Sequence, residues 1–434
     1  MAATSIRTHP LRAAQMAWTA AGLLATAGTP AFAIELADDY PPTPARERDL
    51  TFHLRTYYLD RDKPAPTPDL KASTIGGWLG YDSGWFFDRF KLVLTAYTSQ
   101  KIDGPADQDG TLLLKPGQMS YSTLGQAYAS LKLWDEHKFN AGRQLVSQPE
   151  VNPQDNRMTP NTFEAYNVTG KFAGLEYFGG YVDKMKTRNS TQFLDMATVA
   201  GARPGVKSEM WLGGLSYSPM KDLTLRYSGY HVQDVLNSNY LDVTWLTPLS
   251  EKWKLRLSGN YMFQGSTGMN ALNGSSFDTW SAGAIGQFMY EGSAIRAGYT
   301  QTGRGFNYQS PYGTWGGYTT MVVTDFNRAG ERAFLLEGSY DFTPLKVPGL
   351  VFTAYGVFGG KAINSATGAR VSDKTEYNGT VDYRFNAAGG DWPDWLKSLW
   401  VRARATRIDE SQNSSTTHTY DYRFIVNYEQ HLNW

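Results

Sequence analysis

The sequence contains no cysteine, so disulfide bonds and thiolate chemistry play no part in its stability or function. It also has no excess of either charge. Its 41 Lys and Arg residues balance 41 Asp and Glu residues, which gives no bias toward nucleic acid or an anionic surface. After residue 33, no apolar run is long enough for a membrane-spanning helix. Whatever stabilises the chain does so without covalent cross-links.

Signals of enzymatic chemistry are also missing. The six histidines are scattered, and none has a His or Cys partner at the spacing of metal ligands. No G-x-S-x-G motif is present, and GRGFNY (303–308) lacks the strand-to-helix context of a nucleotide site. We therefore expect no enzyme, no cofactor and no metal site.

The first 33 residues differ from the rest and predict a cleaved signal peptide. Arg7 and Arg12 supply a positive start, residues 16–27 are mostly apolar, and Ala31-Phe32-Ala33 fits an A-x-A cleavage site. The alternative is an N-terminal anchor, but the apolar run falls short of the roughly 18–20 residues that a spanning helix needs. We expect an exported protein with a mature domain at residues 34–434.

Aromatic residues and glycine are abundant. Aromatics make up 14% of the chain, and 43 of the 434 residues are glycine. In EKWKLRLSGNYMFQG (251–265), Trp253 and Leu255 alternate with Lys254 and Arg256. Such alternation predicts a β-strand with one apolar and one polar face.

This alternation recurs along the mature chain and predicts an all-β fold. We expect a single transmembrane antiparallel β-barrel of about 18 strands. The predicted strands are 52–59, 72–82, 90–99, 123–134, 138–145, 163–171, 174–184, 208–218, 223–232, 240–247, 252–264, 279–290, 293–303, 331–342, 350–360, 374–385, 397–408 and 418–434.

The connectors between these strands alternate in length. Short turns at one end and long loops at the other are typical of outer-membrane barrels, and an even strand number places both termini at the short-turn end. The short connectors include 135–138, 219–222 and 291–292, and the long ones include 100–122, 146–162, 185–207 and 304–330.

The composition of the two faces predicts which one meets lipid. A soluble sandwich would bury its apolar faces, but 18 strands would need a very large core. Arginine recurs on the polar face, as at Arg226, Arg256 and Arg296, where salt networks in a wet lumen would hold it. We therefore expect lipid outside and water inside.

In the last predicted strand, alternate residues are mostly apolar or aromatic up to the end of the chain. Tyr420, Tyr422 and Phe424 begin this parity, and Leu432 and Trp434 complete it. A terminal aromatic residue on an amphipathic strand resembles the signal read by the barrel-assembly machinery, although Phe is the usual residue. The expected partners are that machinery, outer-membrane lipid and lipopolysaccharide, and small solutes.

Several motifs resemble the OprD family of outer-membrane porins. QDNRMTPNTF (154–163) is similar to the family's N-D-x-R-L-L-P-Q-T-F segment, and LTFHLRTYYLDRD (50–62) resembles its first strand. DFNRAGERAFLLEGSYDFTPLKVPGLVFTAY (325–355) is the most specific match, and VRARATR (401–407) resembles the arginine-bearing strand near the family's end.

The resemblance implies an 18-stranded barrel whose third extracellular loop folds inward and narrows the pore. That loop is 146–162 here, and it carries Glu150, Asp155 and Arg157. The family also has a row of luminal arginines that guides carboxylates, and Arg402 and Arg404 match this row. The alternative role for Arg402 and Arg404 is charge pairing with luminal acids. The alternative role for Asp155 and Arg157 is to anchor the loop.

One strand departs from the family pattern. Glu376-Tyr377-Asn378 stands where the family shows E-R-D, which predicts a missing luminal arginine, and Arg384 is the candidate substitute. The long loop 304–330 carries Asp325 and Arg328, which are candidates for the acidic side of the constriction.

The sequence thus predicts a Gram-negative outer-membrane channel for passive, selective diffusion of small hydrophilic solutes such as carboxylates and amino acids. Two alternatives stay open: a general, weakly selective porin, and a barrel that acts as a surface adhesin or receptor. The sequence leaves both the solute and the choice between monomer and trimer undetermined.

Overall fold

The protein is described here by a computed structural model covering residues 48–134, 136–388 and 392–433. The predicted signal peptide (1–33) and the terminal Trp434 lie outside these residues. None of the helices in the described ranges is long and apolar enough to cross a membrane.

The predicted all-β barrel is confirmed. Eighteen long antiparallel strands form one closed sheet, and one short strand, β8, is added at its rim. The strands are β1 (Asp49–Asp62), β2 (Leu70–Asp82), β3 (Phe90–Asp103), β4 (Tyr121–Trp134), β5 (His137–Gln144), β6 (Thr162–Phe172), β7 (Leu175–Lys186), β8 (Leu194–Asp195), β9 (Met210–Met220), β10 (Leu223–Val232), β11 (Leu236–Pro248), β12 (Trp253–Ser266), β13 (Asp278–Tyr290), β14 (Ser293–Thr302), β15 (Arg332–Asp341), β16 (Leu350–Gly360), β17 (Asp373–Arg384), β18 (Leu399–Gln412) and β19 (Ser415–Asn433).

Closure depends on the pairing of the first and last long strands. β1 pairs with β19 from Asp49 opposite Asn433 to Asp62 opposite Tyr420. Every other long strand pairs with its neighbours in the chain, and β7 pairs directly with β9, past β8. No backbone edge therefore stays open to lipid, as a bilayer requires.

Helical structure is confined to the connectors. Two short α-helices, α1 (Met196–Ala200) and α2 (Asp394–Lys397), lie after β8 and before β18, and 3₁₀ turns occupy Ala106–Gln108, Thr343–Leu345 and Phe385–Ala388. Asp195 caps α1 by accepting a hydrogen bond from the backbone N–H of Thr198. None of these elements was predicted, because each is too short to show helical periodicity.

The two faces of the strands have the predicted compositions. On β12, Trp253, Leu257 and Tyr261 are exposed on the outer surface, whereas Ser258 and Asn260 are buried on the inner one. The outer residues are apolar or aromatic and form the surface that lipid covers.

The predicted rule for connector length fails at several places, and the β10–β11 connector at the long-loop end has only three residues, 233–235. The β18–β19 hairpin has only Asn413 and Ser414 between its strands, at the end where the long loops lie. Both residues have positive φ, the geometry of a two-residue turn that matches the strand twist. At the opposite end, the β17–β18 connector spans 385–398 and contains α2.

The barrel interior is filled largely by loops that fold inward. The connectors 104–120, 145–161, 187–209 and 303–331 all leave the same end of the barrel. Leu113, Val151, Met196 and Trp315, one from each connector, are buried. Residues of these connectors pack against inward side chains of the strands in several apolar clusters.

Candidate solute path

The arginines of β18 point into the barrel. Arg402 and Arg404 are buried on the inner face, and Ala403 and Ala405 between and beside them are exposed on the outer face. On the neighbouring strand β19, Arg423 lies directly opposite Arg404 in the register and also points inward. Alternation along two adjacent strands therefore places three arginines on one wall.

A tryptophan connects two of the arginines at the periplasmic end of this wall. The guanidinium carbon of Arg402 lies 4.6 Å from the centroid of the Trp400 ring, and that of Arg384 lies 4.9 Å from it. Arg402 also donates from Nε to Asp382 at 2.7 Å, and the Trp400 indole N–H donates to the same carboxylate at 3.0 Å. Two fixed cations thus flank one aromatic ring.

The upper part of the row is held by hydroxyl, carboxylate and carbonyl groups. Arg404 donates from Nε to the Thr380 hydroxyl at 3.0 Å. Arg423 donates from Nε to Asp421 at 2.6 Å and from Nη2 to the Val322 carbonyl at 3.1 Å. We define Arg384, Arg402, Arg404 and Arg423 as the arginine row.

Asp155 and Arg157 fasten the loop 145–161 to its surroundings. Arg55 of β1 donates from Nη1 to Asp155 at 2.9 Å and to the backbone carbonyl of Arg157. Arg157 in turn donates from Nε to the carbonyl of Thr111, in the loop 104–120, at 2.9 Å. Both sequence-predicted residues therefore make anchoring contacts.

Glu150 lies at a junction of two loops and the wall. Its carboxylate accepts a hydrogen bond from the Ser238 hydroxyl of β11 at 2.7 Å, and that hydroxyl also contacts Tyr308 of the loop 303–331 at 2.7 Å. The second carboxylate oxygen, Oε1, is buried and has no partner among the described residues. Burial raises the pKa of Glu150 to about 7.

The loop 303–331 crosses the lumen and is tied to three strands. Asn260 of β12 donates to the Gly316 carbonyl at 2.7 Å, and Tyr318 donates to Asp242 of β11 at 3.1 Å. The backbone N–H groups of Val323 and Thr324 donate to Glu376 of β17 at 3.2 and 2.8 Å. These bonds fix the loop as part of the constriction.

Asp325 lies at the innermost part of that loop. Its side chain is solvent-exposed although protein surrounds it, the combination expected of a group that faces internal water. Desolvation by the surrounding protein raises the pKa of Asp325 to about 6, and the positive charge of Arg188 counteracts this rise. Arg188, in the loop 187–209, has its own pKa lowered to about 10 by burial and by Arg423. An acidic and a basic group thus meet close to the arginine row.

Arg328 makes a different set of contacts from Asp325. Its guanidinium pairs with Glu331 and donates from Nη1 to the carbonyl of Ser372 at 2.8 Å. These contacts join the base of the loop 303–331 to the connector that precedes β17.

The predicted site residues therefore fall into two groups. Arg384, Arg402 and Arg404 share one wall, and Asp325 is exposed and interacts electrostatically with Arg188. Glu150, Asp155, Arg157 and Arg328 hold the inward loops in place.

Sequence reasoning missed three cations of this region. Arg55 and Arg423 could have been found, because each lies on the inward parity of a correctly predicted strand. Arg188 follows the end of β7, where no periodicity applies.

The predicted loss of a luminal arginine at 376–378 is not supported by the register. Tyr377 lies on the outer face with 43% of its surface exposed, whereas Glu376 and Asn378 point inward. An arginine at position 377 would face lipid. The departure from E-R-D therefore removes no arginine from the lumen, and at position 378 an inward-facing asparagine replaces the family's aspartate.

A closed antiparallel barrel with an apolar outer face, a charged inner face and inward loops is an outer-membrane channel. The family model described as "outer membrane porin, OprD family" matches residues 46–432. The chain belongs to this family, whose members are substrate-specific channels of the Gram-negative outer membrane rather than enzymes. Among the described residues, no group of three or more acidic or histidine side chains could hold a metal ion.

Solved structures share the fold at low sequence identity. Pseudomonas aeruginosa OccK9 (OpdG) matches with a TM-score of 0.79 and 23% identity over 89% of this chain and 99% of that one. Pseudomonas aeruginosa OpdK with vanillate matches with a TM-score of 0.76 and 19% identity over the same shares. The porin-like protein GalP of Pseudomonas putida is 23% identical over 332 residues, which are 74% of this chain and 80% of that protein.

Proposed function

We propose that the protein is a selective channel for small carboxylates, including amino acids, which cross by passive diffusion. The observation that carries this proposal is the arginine row, which extends over three adjacent strands toward the periplasmic end. Guanidinium groups stay charged at all physiological pH values and bind carboxylates through two parallel hydrogen bonds.

The spacing of the row suits transport better than tight binding. Residues two apart on a strand are about 7 Å apart, so a carboxylate can pass from Arg404 to Arg402 without being free in between. Existing partners such as Asp382 and Thr380 share the guanidinium hydrogen bonds, which keeps each contact with a solute weak. A series of weak sites lets a solute enter and also leave.

Asp325 supports the inclusion of amino acids. A solute whose carboxylate contacts the row near Arg423 would find this acidic group on the loop 303–331. A zwitterion has a cationic group to place there, whereas a simple carboxylate has none. The relative solved with vanillate, a carboxylate, is consistent with the broader class.

A general, weakly selective porin is the second candidate. The ion pairs of Arg402 with Asp382 and of Arg423 with Asp421 favour it, because they reduce the net charge of the row. An adhesin or receptor barrel remains distinguishable from both candidates, because a barrel plugged by side chains would conduct almost no current.

Single-channel recording in planar bilayers tests the proposal. We expect measurable conductance in wild type, and partial block by benzoate that weakens in the double variant Arg402→Gln/Arg404→Gln. The matched control is Arg407→Gln, on the same strand, where the side chain is exposed on the outer face. Benzoate block that is unchanged in the double variant would contradict selection by the arginine row.

Two further properties are part of the proposal. The strand β19 presents Tyr422, Phe424 and Leu432 outward, as expected of a strand recognised by the barrel-assembly machinery. Residues 1–33 would direct export and be removed. Both monomer and trimer are compatible with the outer surface, and mass measurement in detergent distinguishes them.

A further inference from the structure

The β2–β3 connector folds back under the barrel wall at the periplasmic end. Ser83 and Gly84 are buried, and Ser83 exchanges two bonds with Leu92. Its backbone N–H donates to the Leu92 carbonyl at 3.0 Å, and its hydroxyl accepts from the Leu92 N–H at 2.9 Å. The next residue, Trp85, is therefore held at the periplasmic mouth.

Three lysines from three strands surround the ring of Trp85. The ammonium nitrogens of Lys132, Lys91 and Lys138 lie 4.9, 5.6 and 5.7 Å from the ring centroid. All three have inward parity. The Ser130 hydroxyl donates to the Asn140 side chain at 2.6 Å in the lumen. Ser130 lies two residues before Lys132 and Asn140 lies two residues after Lys138, so these lysines are on the same face. The ring and the lysines thus form one cluster on the inner face of β3, β4 and β5.

The charges of this cluster are not balanced. Lys91 pairs with Asp82 at 2.7 Å, and Lys132 pairs with Asp88. Lys138 contacts the Trp85 ring and forms no ion pair with any residue that the structure describes. Among the described residues of this cluster, one positive charge is therefore in excess.

The pairing of β4 with β5 makes this excess of positive charge more unfavourable. Lys132 and Lys138 lie directly opposite each other on adjacent antiparallel strands. Like charges in this arrangement repel, and the cost falls when an anion lies between them. Two lysines opposite each other beside one aromatic ring are thus poised for an anionic ligand.

We propose that Trp85, Lys91, Lys132 and Lys138 form an exit subsite for aromatic carboxylates. The carboxylate lies between Lys132 and Lys138, and the aromatic ring of the solute packs on Trp85. The subsite lies on β2–β5, whereas the arginine row lies on β17–β19. This inference rests on the proposed function, because carboxylates must reach the periplasmic mouth to be captured there.

The experiment measures how long a solute blocks single reconstituted channels when it is added on the periplasmic side. Benzoate and acetate are compared, because only benzoate has a ring. We expect Lys138→Gln to shorten block by both solutes at least threefold, and Trp85→Leu to shorten block by benzoate alone. The control is Lys254→Gln. Lys254 is a luminal lysine at the periplasmic end of β12, and it contacts no aromatic ring among the described residues.

The outcomes separate this subsite from the channel function. If Lys138→Gln and Trp85→Leu both match wild type while Arg402→Gln/Arg404→Gln lowers benzoate flux, the subsite is disproved and the proposed function stands. If the arginine variant also has no effect, both proposals fail. A uniform loss in all lysine variants, including Lys254→Gln, indicates general luminal charge and also overturns the subsite. Native electrophoretic mobility before boiling verifies that each variant is folded.

Discussion

The two sides of the lumen use arginine differently. On the wall formed by β10–β15, each of two arginines has an acidic residue opposite it on the next strand. Arg226 faces Asp242 at 3.8 Å, and Arg296 faces Glu337 at 2.6 Å. The charges of these two pairs cancel locally, whereas Arg256 of β12 lies opposite Leu246 and Gln287 and has no acidic cross-strand partner.

On the arginine row the cross-strand partner of Arg404 is another arginine, Arg423. Its partner on the other side, in β17, is the neutral Thr380. Like charges directly opposite each other destabilise a sheet, so this arrangement has a structural cost. Arg402 lies opposite Asp382, as Arg226 lies opposite Asp242, so the two walls differ at the facing pair Arg404 and Arg423.

The largest effect is expected from a charge placed on the outer face, and it tests whether that face contacts lipid. The assignment of both luminal walls depends on this orientation of the strands. Leu257→Arg places a charge at an exposed outer position further into β12 and should destabilise the barrel by roughly 2–4 kcal/mol near the bilayer midplane. Denaturant titration in liposomes measures this change. The control Lys254→Arg keeps a charge in the lumen and should be neutral; equal stability of both variants would refute the assignment of faces.

The next largest effect comes from removing the facing pair. Arg404→Gln/Arg423→Gln should lower carboxylate flux between roughly tenfold and a hundredfold, because the loss of one charged hydrogen bond to the solute costs about 1.5–3 kcal/mol. Uptake of labelled benzoate into proteoliposomes measures the flux. Flux of an uncharged sugar serves as the control and should change little. A proportional fall in both fluxes would indicate a collapsed pore rather than lost recognition.

A single substitution should convert one kind of wall into the other. Thr380→Asp places a carboxylate opposite Arg404, as Asp242 lies opposite Arg226, and should lower carboxylate flux by roughly fivefold to tenfold. Thr380→Asn has nearly the same shape without the charge and should keep most of the flux. The comparison of the two walls fails if the two variants behave alike.

Acidification should increase anion preference by a smaller amount. Because the pKa of Asp325 is raised to about 6, its negative charge is present at pH 7.5 and largely lost at pH 5. The ratio of anion to cation permeability, measured from reversal potentials, should rise by roughly twofold over this range. Asp325→Asn should remove the change, whereas a pH response that persists in this variant would assign it to another group such as Glu150.

The smallest effect is expected at the balanced pair Arg296 and Glu337 on the wall β10–β15. Arg296→Gln/Glu337→Gln removes both partners of an ion pair and leaves no uncompensated charge. Carboxylate flux should stay within roughly twofold of wild type. A fall as large as that of the Arg404 and Arg423 variant would mean that the two walls do not differ in function.

The long strands and their faces followed from the sequence because many of these strands alternate between apolar and polar residues. Trp253 to Phe263 shows this on β12, and Ala403 and Ala405 show it on β18. The two-residue hairpin at Asn413 and Ser414 escaped prediction, because turns depend on local backbone conformation rather than on periodicity.

The site was predictable only where it lies on strands. Parity placed Arg402 and Arg404 in the lumen, and the same argument would have found Arg423. The contacts of Glu150 and Arg157 were beyond reach, because each depends on how a long loop packs against strands far away in the chain. Ser238 contacts Glu150 across 88 residues.

The most direct test compares two solutes of nearly equal size in wild-type proteoliposomes. Benzoate carries a carboxylate, and benzyl alcohol has a neutral hydroxymethyl group in its place. After subtraction of uptake into protein-free liposomes, the account predicts that the channel passes benzoate faster. Equal channel-dependent rates, or a faster alcohol, would contradict the claim that the arginine row selects carboxylates.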